Sequence, residues 1–298
     1  MNAPGSAAAP GHEAEALACL QRAFLHRALA GRAPRVKALH LPPRRPAQAL
    51  AGESCAVELE GGCVGLSYVL FGGTLKALRE VADACAGADA LALAAGYPTA
   101  PTARHGVPRT MGLAAVNALT AWLFDRTGFI PPDAGDSLAA LDPQAGDRIG
   151  MIGWFAPLAP RIVAAGASLV VVEMRADLIG QRDGITISAD PSVLARCNKV
   201  LATGTLLLNG TLDRMLAAAL AAQRFALVGP SAGSLPDPLF ARGVTDLGGS
   251  WVEDGPAFIA ALRAGEKRHG AARKFALRRA DYPGLPALLN RMCIRGQR

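Results

Sequence analysis

The chain reads as an α/β protein, with a small α+β module ahead of a Rossmann-like, mainly parallel sheet, and three observations carry that reading. Residues 147–173, DRIGMIGWFAPLAPRIVAAGASLVVVE, run as strand, glycine turn, helix and strand, with an acid closing the second strand. Beyond residue 147, strand-like and helical segments alternate regularly, which builds parallel sheets through crossover helices. Ahead of residue 129 the pattern is instead a helix, a hairpin and more helices, which predicts α+β.

In chain order, residues 13–31 place Leu17, Leu20, Phe24 and Leu25 on one helical face, with Gly31 as a stop. HLPPRRP, at 40–46, is a proline-broken connector. Two strand-like runs at 55–59 and 64–70 flank Glu60, Gly61 and Gly62, a hairpin signal. Residues 75–85 follow as a helix, 90–95 as a short apolar segment before the turn-rich 96–106, and 109–126 as a helix stopped by Gly128. Pro, Gly and Asp crowd 129–146 with little periodicity, so a linker is expected there, joining domains at 1–128 and 147–298. In the second domain, strands are expected at 148–153, 168–173, 184–188, 199–203, 224–229 and about 244–247. Helical runs are expected at 160–165, 191–197, 211–222, 236–242 and 256–264. In the basic stretch from Lys267 to Arg279, Ala271, Ala272, Phe275, Ala276 and Leu277 interleave with the charges as one face of an amphipathic helix.

With 51% hydrophobic and 18% charged residues, the composition is that of a compact globular chain. No segment reaches the roughly 18 uncharged apolar residues a membrane span needs, and the start has no signal-peptide pattern, so a cytoplasmic protein without membrane contact is expected. The six cysteines form no CxxC pair and the five histidines no HxxxH or HExxH set. A structural zinc site is therefore not expected, and Cys55 and Cys63 read as small buried residues. A net charge of +7 raises the question of nucleic acid, but no helix-turn-helix, RNA-binding sheet motif or zinc module accompanies it, so no nucleic-acid partner is expected.

Polar groups gather at three predicted strand ends. The first is the turn of Gly153, Trp154 and Phe155, with Glu173 twenty positions after Gly153. An acid at about that distance bonds the ribose of dinucleotides, although a bulky aromatic turn is a poor pyrophosphate cradle and a better wall for a flat organic ligand. The second is Thr203, Gly204 and Thr205, continuing to Asn209 and Thr211, either of which can cap the helix that follows. The third is Gly229, Pro230 and Ser231. Each has a plain structural alternative: caps for Thr and Asn, turns for Gly, and for Glu173 a pair with Arg175 or Arg182. Asn117, inside the apolar run GLAAVNALTAWLF, is either a satisfied buried amide or a group projecting into an interdomain cleft that Tyr68 and Tyr97 could also wall. No GxSxG elbow, no nucleophile beside a base and no carboxylate pair at catalytic spacing appears, so the residues support a binding cleft better than a reaction.

MGLAAVNAL, IGMIGWFAPL, VVVE, ATGTLLLNGTLDRML and VGPSAGSLPDPLFARGVTDLGG, in that order, resemble the heavy-metal chelation family, a bacterial and archaeal domain of unknown function, over about residues 50–262. The resemblance implies an N-terminal domain similar to the enolase N-terminal fold, a Rossmann-like C-terminal domain and a ligand cleft between them. Asn117, Gly153, Glu173, Thr203, Gly204, Thr205, Asn209, Thr211, Gly229, Pro230 and Ser231 lie in the matching blocks, and Trp154 and Phe155 join them as cleft candidates. It also suggests a protein that binds, with or without modifying it, a small metal-chelating metabolite or metal complex, so that the cofactor would be a metal ion or a metal chelate; separately, a homodimer is expected. An enzyme using NAD(P) or S-adenosylmethionine, with Glu173 on the ribose, and a non-catalytic interaction module are the competing readings.

Overall fold

The structure is a computed structural model that describes residues 11–26, 29, 33–44, 53–100, 106–136, 138, 141–266 and 270–295. Helix α1 (His12–Leu25) buries Ala16, Leu20, Ala23 and Phe24 at helical spacing; residues 27, 28, 30 and 31 of the predicted helix lie outside the described residues. Strands β1 (Val36–His40), β2 (Ser54–Leu59) and β3 (Val64–Tyr68) form an antiparallel meander in the order β1-β2-β3, and the predicted hairpin is its second half. Helices α2 (Thr74–Val81), α3 (Ala90–Ala94) and α4 (Val107–Thr127) follow. A small antiparallel sheet with trailing helices is the α+β module expected ahead of residue 129.

Helix α4 is apolar almost all round, so it must be covered on every side. One face lies on β3 at very short range, because Gly65 has no side chain: a Cβ there would sit 2.0 Å from Ala118 N and 2.3 Å from Ala114 O. The helix ends at Gly128, whose φ of 67° suits a left-handed cap.

The second sheet contains β4 (Arg148–Ile152), β5 (Ser168–Val172), β6 (Gly180–Arg182), β7 (Ile185–Ser188), β8 (Lys199–Thr203), β9 (Arg224–Val228), β10 (Asp246–Val252) and β11 (Ala272–Arg278). Its order is β11-β10-β9-β8-β4-β5-β7-β6, with antiparallel edges at β11 and β6. The six parallel strands, numbered one to six in chain order, run 3-2-1-4-5-6, the order of dinucleotide-binding sheets, whose switch point lies between β4 and β8. Helices α5 (Ala159–Ala164), α6 (Leu206–Asn209), α7 (Leu212–Ala218), α8 (Pro236–Ala241) and α9 (Gly255–Ala264) interleave with the strands, and α10 (Leu285–Arg295) closes the described chain. The helical run expected at 191–197 is a 3-10 helix over Pro191–Arg196. One hydrophobic core runs from Leu20 and Leu59 through Leu119 to Leu207 and Leu247, so the two modules share buried surface. The expected linker lies along the sheet, with Ala134 N–H donating to Lys274 O and Leu141 buried.

The expectation for the basic tail is overturned. The basic tail is no amphipathic helix: 272–278 is the edge strand β11, paired with β10 from Asp246↔Arg278 to Val252↔Ala272, with Phe275 and Leu277 alternating inward. Apolar residues at 271, 272, 275, 276 and 277 satisfy both periods. The long β10, whose free side would otherwise expose unpaired backbone, decides for the strand. Lys267 and Arg268 lie outside the described residues. Among those described, no helix is long and apolar enough to cross a membrane.

Candidate functional site

The three polar strand ends lie side by side at the carboxyl ends of the neighbouring strands β4, β8 and β9, and most of their polar groups are used up among themselves. Gly153 has a φ of 84° and fits so closely that a Cβ would be 3.0 Å from Thr203 Cγ2. Glu173 pairs with neither Arg175 nor Arg182 through side chains. Its carboxylate instead accepts backbone N–H bonds from Trp154 (2.9 Å), Met174 (2.7 Å) and Arg175 (3.0 Å), bracing the first turn, while the Arg175 guanidinium turns to Asp177. Thr203 Oγ1 accepts from the Thr205 hydroxyl at 3.2 Å, and Gly204 N–H donates to Val228 O. Asn209 Oδ1 accepts from both the N–H (3.1 Å) and the hydroxyl (2.6 Å) of Thr211, which occupies the cap position of α7 without making a side-chain capping bond.

Open space lies to one side of these turns. Strand β10 runs on past the end of β9, and between its extension, the Gly61–Gly62 turn and α4 lies a cleft of about 500 Å³. A smaller alcove of about 250 Å³ adjoins it, with Pro230, Ser250 and Phe275 common to both. From α4 the cleft receives Asn117, Thr120, Ala121, Phe124 and Asp125, which at intervals of three and four form one helical face. Trp251 and Phe275 come from the β10–β11 pair, and the rings of Trp251 and Phe124 stack at 6.4 Å with 30° between their planes. In the alcove Gly229, Gly248 and Gly249 expose backbone; Gly229, at a φ of 125°, is a position other residues rarely adopt.

Asn117 is the anchor of this wall. Its Nδ2 donates to Leu66 O (2.6 Å) and Ser231 O (3.1 Å), and Ser231 Oγ in turn accepts from Tyr68 N–H (2.9 Å), so three segments from both modules are tied at one residue. With both amide hydrogens committed to carbonyls, Oδ1 is left buried and without a hydrogen-bond partner.

Among the thirteen predicted residues, Asn117 and Pro230 line the main cleft, and Phe155, Gly229 and Pro230 line the alcove. Ser231 lines neither but holds Asn117. Gly153, Trp154, Glu173, Thr203, Gly204, Thr205, Asn209 and Thr211 line neither cavity. Tyr97 does not wall the cleft; it is wholly buried, with its hydroxyl 3.0 Å from His12 Nε2. Trp251, Phe275, Phe124, Asp125 and Glu253 were not predicted. The signal available for them was GGSW at 248–251, two glycines and a hydroxyl where a strand outruns its neighbour.

Soft-metal chemistry finds little support in these side chains. Burial pushes the Cys55 thiol up to about 12, and burial followed by the Asp125 carboxylate pushes Cys63, at the cleft, up to about 11, so without a metal both are protonated thiols at neutral pH. Among the described residues no group of three His, Cys, Asp or Glu is placed to hold a metal ion.

The sequence profile of DUF364, described as putative heavy-metal chelation, matches residues 136–281. Over that span the chain belongs to this family. Two solved DUF364 proteins of unknown function share the fold across both modules. One, from Desulfitobacterium hafniense, is 20% identical with a TM-score of 0.65, covering 90% of this chain and 98% of its own. The other, from Pyrococcus horikoshii, is 17% identical with a TM-score of 0.60, covering 90% and 99%. An uncharacterized protein of Methanocaldococcus jannaschii is 28% identical over 178 residues, 57% of this chain and 66% of that relative. The fold shared with these two proteins therefore includes the N-terminal module that supplies Asn117, ahead of the matched span.

Proposed function

We propose that this protein binds a small organic molecule in the cleft between α4 and the β10 extension, and that the molecule is a metal-chelating metabolite or its metal complex, in keeping with the family description. The observation that carries the proposal is Asn117 Oδ1. A buried acceptor without a partner costs about 1–3 kcal/mol, and a ligand donor at the cleft wall would remove that cost. The oxygen atoms around it, amide, carboxylate and hydroxyl, suit the polar rim of an organic chelator better than a bare soft ion. A metal would then arrive already held by the ligand. Among the described residues no nucleophile with a base partner lines the cleft, and the proposal is of binding, with no reaction assigned.

The competing nucleotide-cofactor reading needs Glu173 on a ribose, and that carboxylate is already bonded to three backbone amides. The proposal takes the protein as cytoplasmic and homodimeric; light scattering on the eluting protein checks the dimer.

Native mass spectrometry of protein purified gently from its own host tests the cleft, with Ala121→Phe as the variant that fills it. A retained small-molecule mass that disappears in the folded variant is expected. Retention of the same mass by Ala121→Phe, or tight stoichiometric zinc or copper held through the thiols, overturns the proposal.

A further inference from the structure

We infer that the cleft selects a flat, positively charged ligand carrying a hydrogen-bond donor at its inner end; this rests on the proposal that the cleft is a ligand site. Three features of the wall point the same way. Among the described residues, the only charged side chains lining the main cleft are the carboxylates of Asp125 and Glu253, while Asp136 and Lys274 line the adjoining alcove. Glu253 is partly neutralised by Arg273 Nε at 2.9 Å, whereas Asp125 has no ion pair among the described residues. The second feature is the inner acceptor: Asn117 Oδ1 offers a lone pair and no hydrogen, so it rewards a donor and repels another acceptor. The third is the pair of rings, Trp251 and Phe124, at the outer end beside Asp125, where an aromatic face and a carboxylate both attract a cation.

The spacing gives the ligand a length. Asn117 and Asp125 lie on one face of α4, eight residues apart, or about 12 Å along the axis at 1.5 Å per residue. A planar heterocycle of two or three rings, with an N–H at the deep end and positive charge near the mouth, spans that distance. A free polycarboxylate chelator does not suit this cleft, since it would meet a lone pair inside and carboxylates outside; a chelate made cationic by its metal does.

Because the chain as a whole carries a net charge of +7, a preference for cations must come from the cleft and not from the overall field. The test uses three acridines of similar size: proflavine, a planar cation with ring amino groups; acridone, neutral; and acridine-9-carboxylate, an anion. Binding is followed by fluorescence anisotropy at low salt, with thermal melts confirming that each variant is folded. Proflavine is expected to bind about tenfold more tightly than acridone and the carboxylate most weakly, the summed effect of one partly screened charge pair and one ring contact. Asp125→Asn should reduce the proflavine advantage about threefold and leave acridone unchanged. Ala121→Phe should abolish binding of all three. Equal affinities, preference for the anion, or no binding of any probe overturns the charge selection. Probe binding that survives Ala121→Phe overturns the cleft itself, so the two failures are separable.

Discussion

The turn at the switch point of the parallel sheet and the cleft beside β10 are built from similar residue types and reach opposite ends. At the switch point, Glu173, Thr203, Thr205, Asn209 and Thr211 satisfy one another and the backbone, and Gly153 is packed against Thr203. At the cleft, a single amide in an apolar helix is only half satisfied. Polar density in a sequence thus marks where backbone groups need partners. A site is better marked by a polar atom whose neighbours have left it over. In this fold the two are adjacent, which is why the β9 turn, Gly229–Ser231, takes part in both.

The two regions can be broken separately. Gly65→Val should have the largest effect, because its Cβ would overlap the α4 backbone at 2.0–2.6 Å, where no side-chain rotation gives relief. A loss of about 3 kcal/mol or more is expected in denaturant unfolding, together with loss of probe binding as α4 lifts from β3. Glu173→Ala comes next. It strips three backbone donors of their acceptor at a half-exposed turn, so about 2 kcal/mol is expected, and the Trp154 environment should change in fluorescence. Cleft binding should stay within twofold of the parent. A large loss of affinity in a folded Glu173→Ala protein would merge the two regions and restore the ribose reading.

Much of the fold is legible in the sequence, because period and punctuation agree there. The β2–β3 hairpin follows from two apolar runs around Glu60, Gly61 and Gly62, and α4 from an uninterrupted run ending in Gly128. Strand β1 goes unread, since Val36–His40 buries its ends and exposes Lys37 between them without clean alternation, and its partner lies across a connector. Strand β11 is misread as helix because its apolar residues fit both periods until pairing with β10 decides. That error conceals the site as well: Phe275 reaches the cleft only as part of the β10–β11 ribbon, and Trp251 only because β10 outruns β9. Asn117 is legible as a candidate, but which of its two readings holds depends on a carbonyl from β3 and another from the β9 turn, and no spacing along the chain displays that.

Acid distinguishes a third area from both. His12 is buried beside Glu13, Arg109 and Tyr97, and Arg109 also bonds Leu207 O, so this cluster backs the turn at Asn209–Gly210. Burial, chiefly, holds the His12 imidazole below its ordinary value, and burial does the same to His40. A histidine depressed in the folded state binds fewer protons there than in the unfolded chain. Its effect is absent above about pH 6.5, and stability falls as pH drops through that value, by at most about 1.4 kcal/mol per pH unit for each histidine. His12→Gln should flatten this limb by up to one proton in urea unfolding measured from pH 7.5 to 5.5. An unchanged slope would mean that His12 is not held neutral.

Ser231→Ala should have the smallest effect and is the most discriminating, because Ser231 stands between the two regions. Losing its hydroxyl leaves Tyr68 N–H without its acceptor, at a cost of about 1 kcal/mol. The Ser231 carbonyl that receives Asn117 Nδ2 belongs to the backbone and remains, so Asn117 keeps both of its bonds, while the β3 end that orients Leu66 O is released. Probe affinity should fall about two- to threefold, as expected for a loosened but intact anchor. The fluorescence of Trp154, braced independently by Glu173, should be unchanged. A shift of the Trp154 signal without any change in affinity would reverse the assignment and put the β9 turn with the switch point.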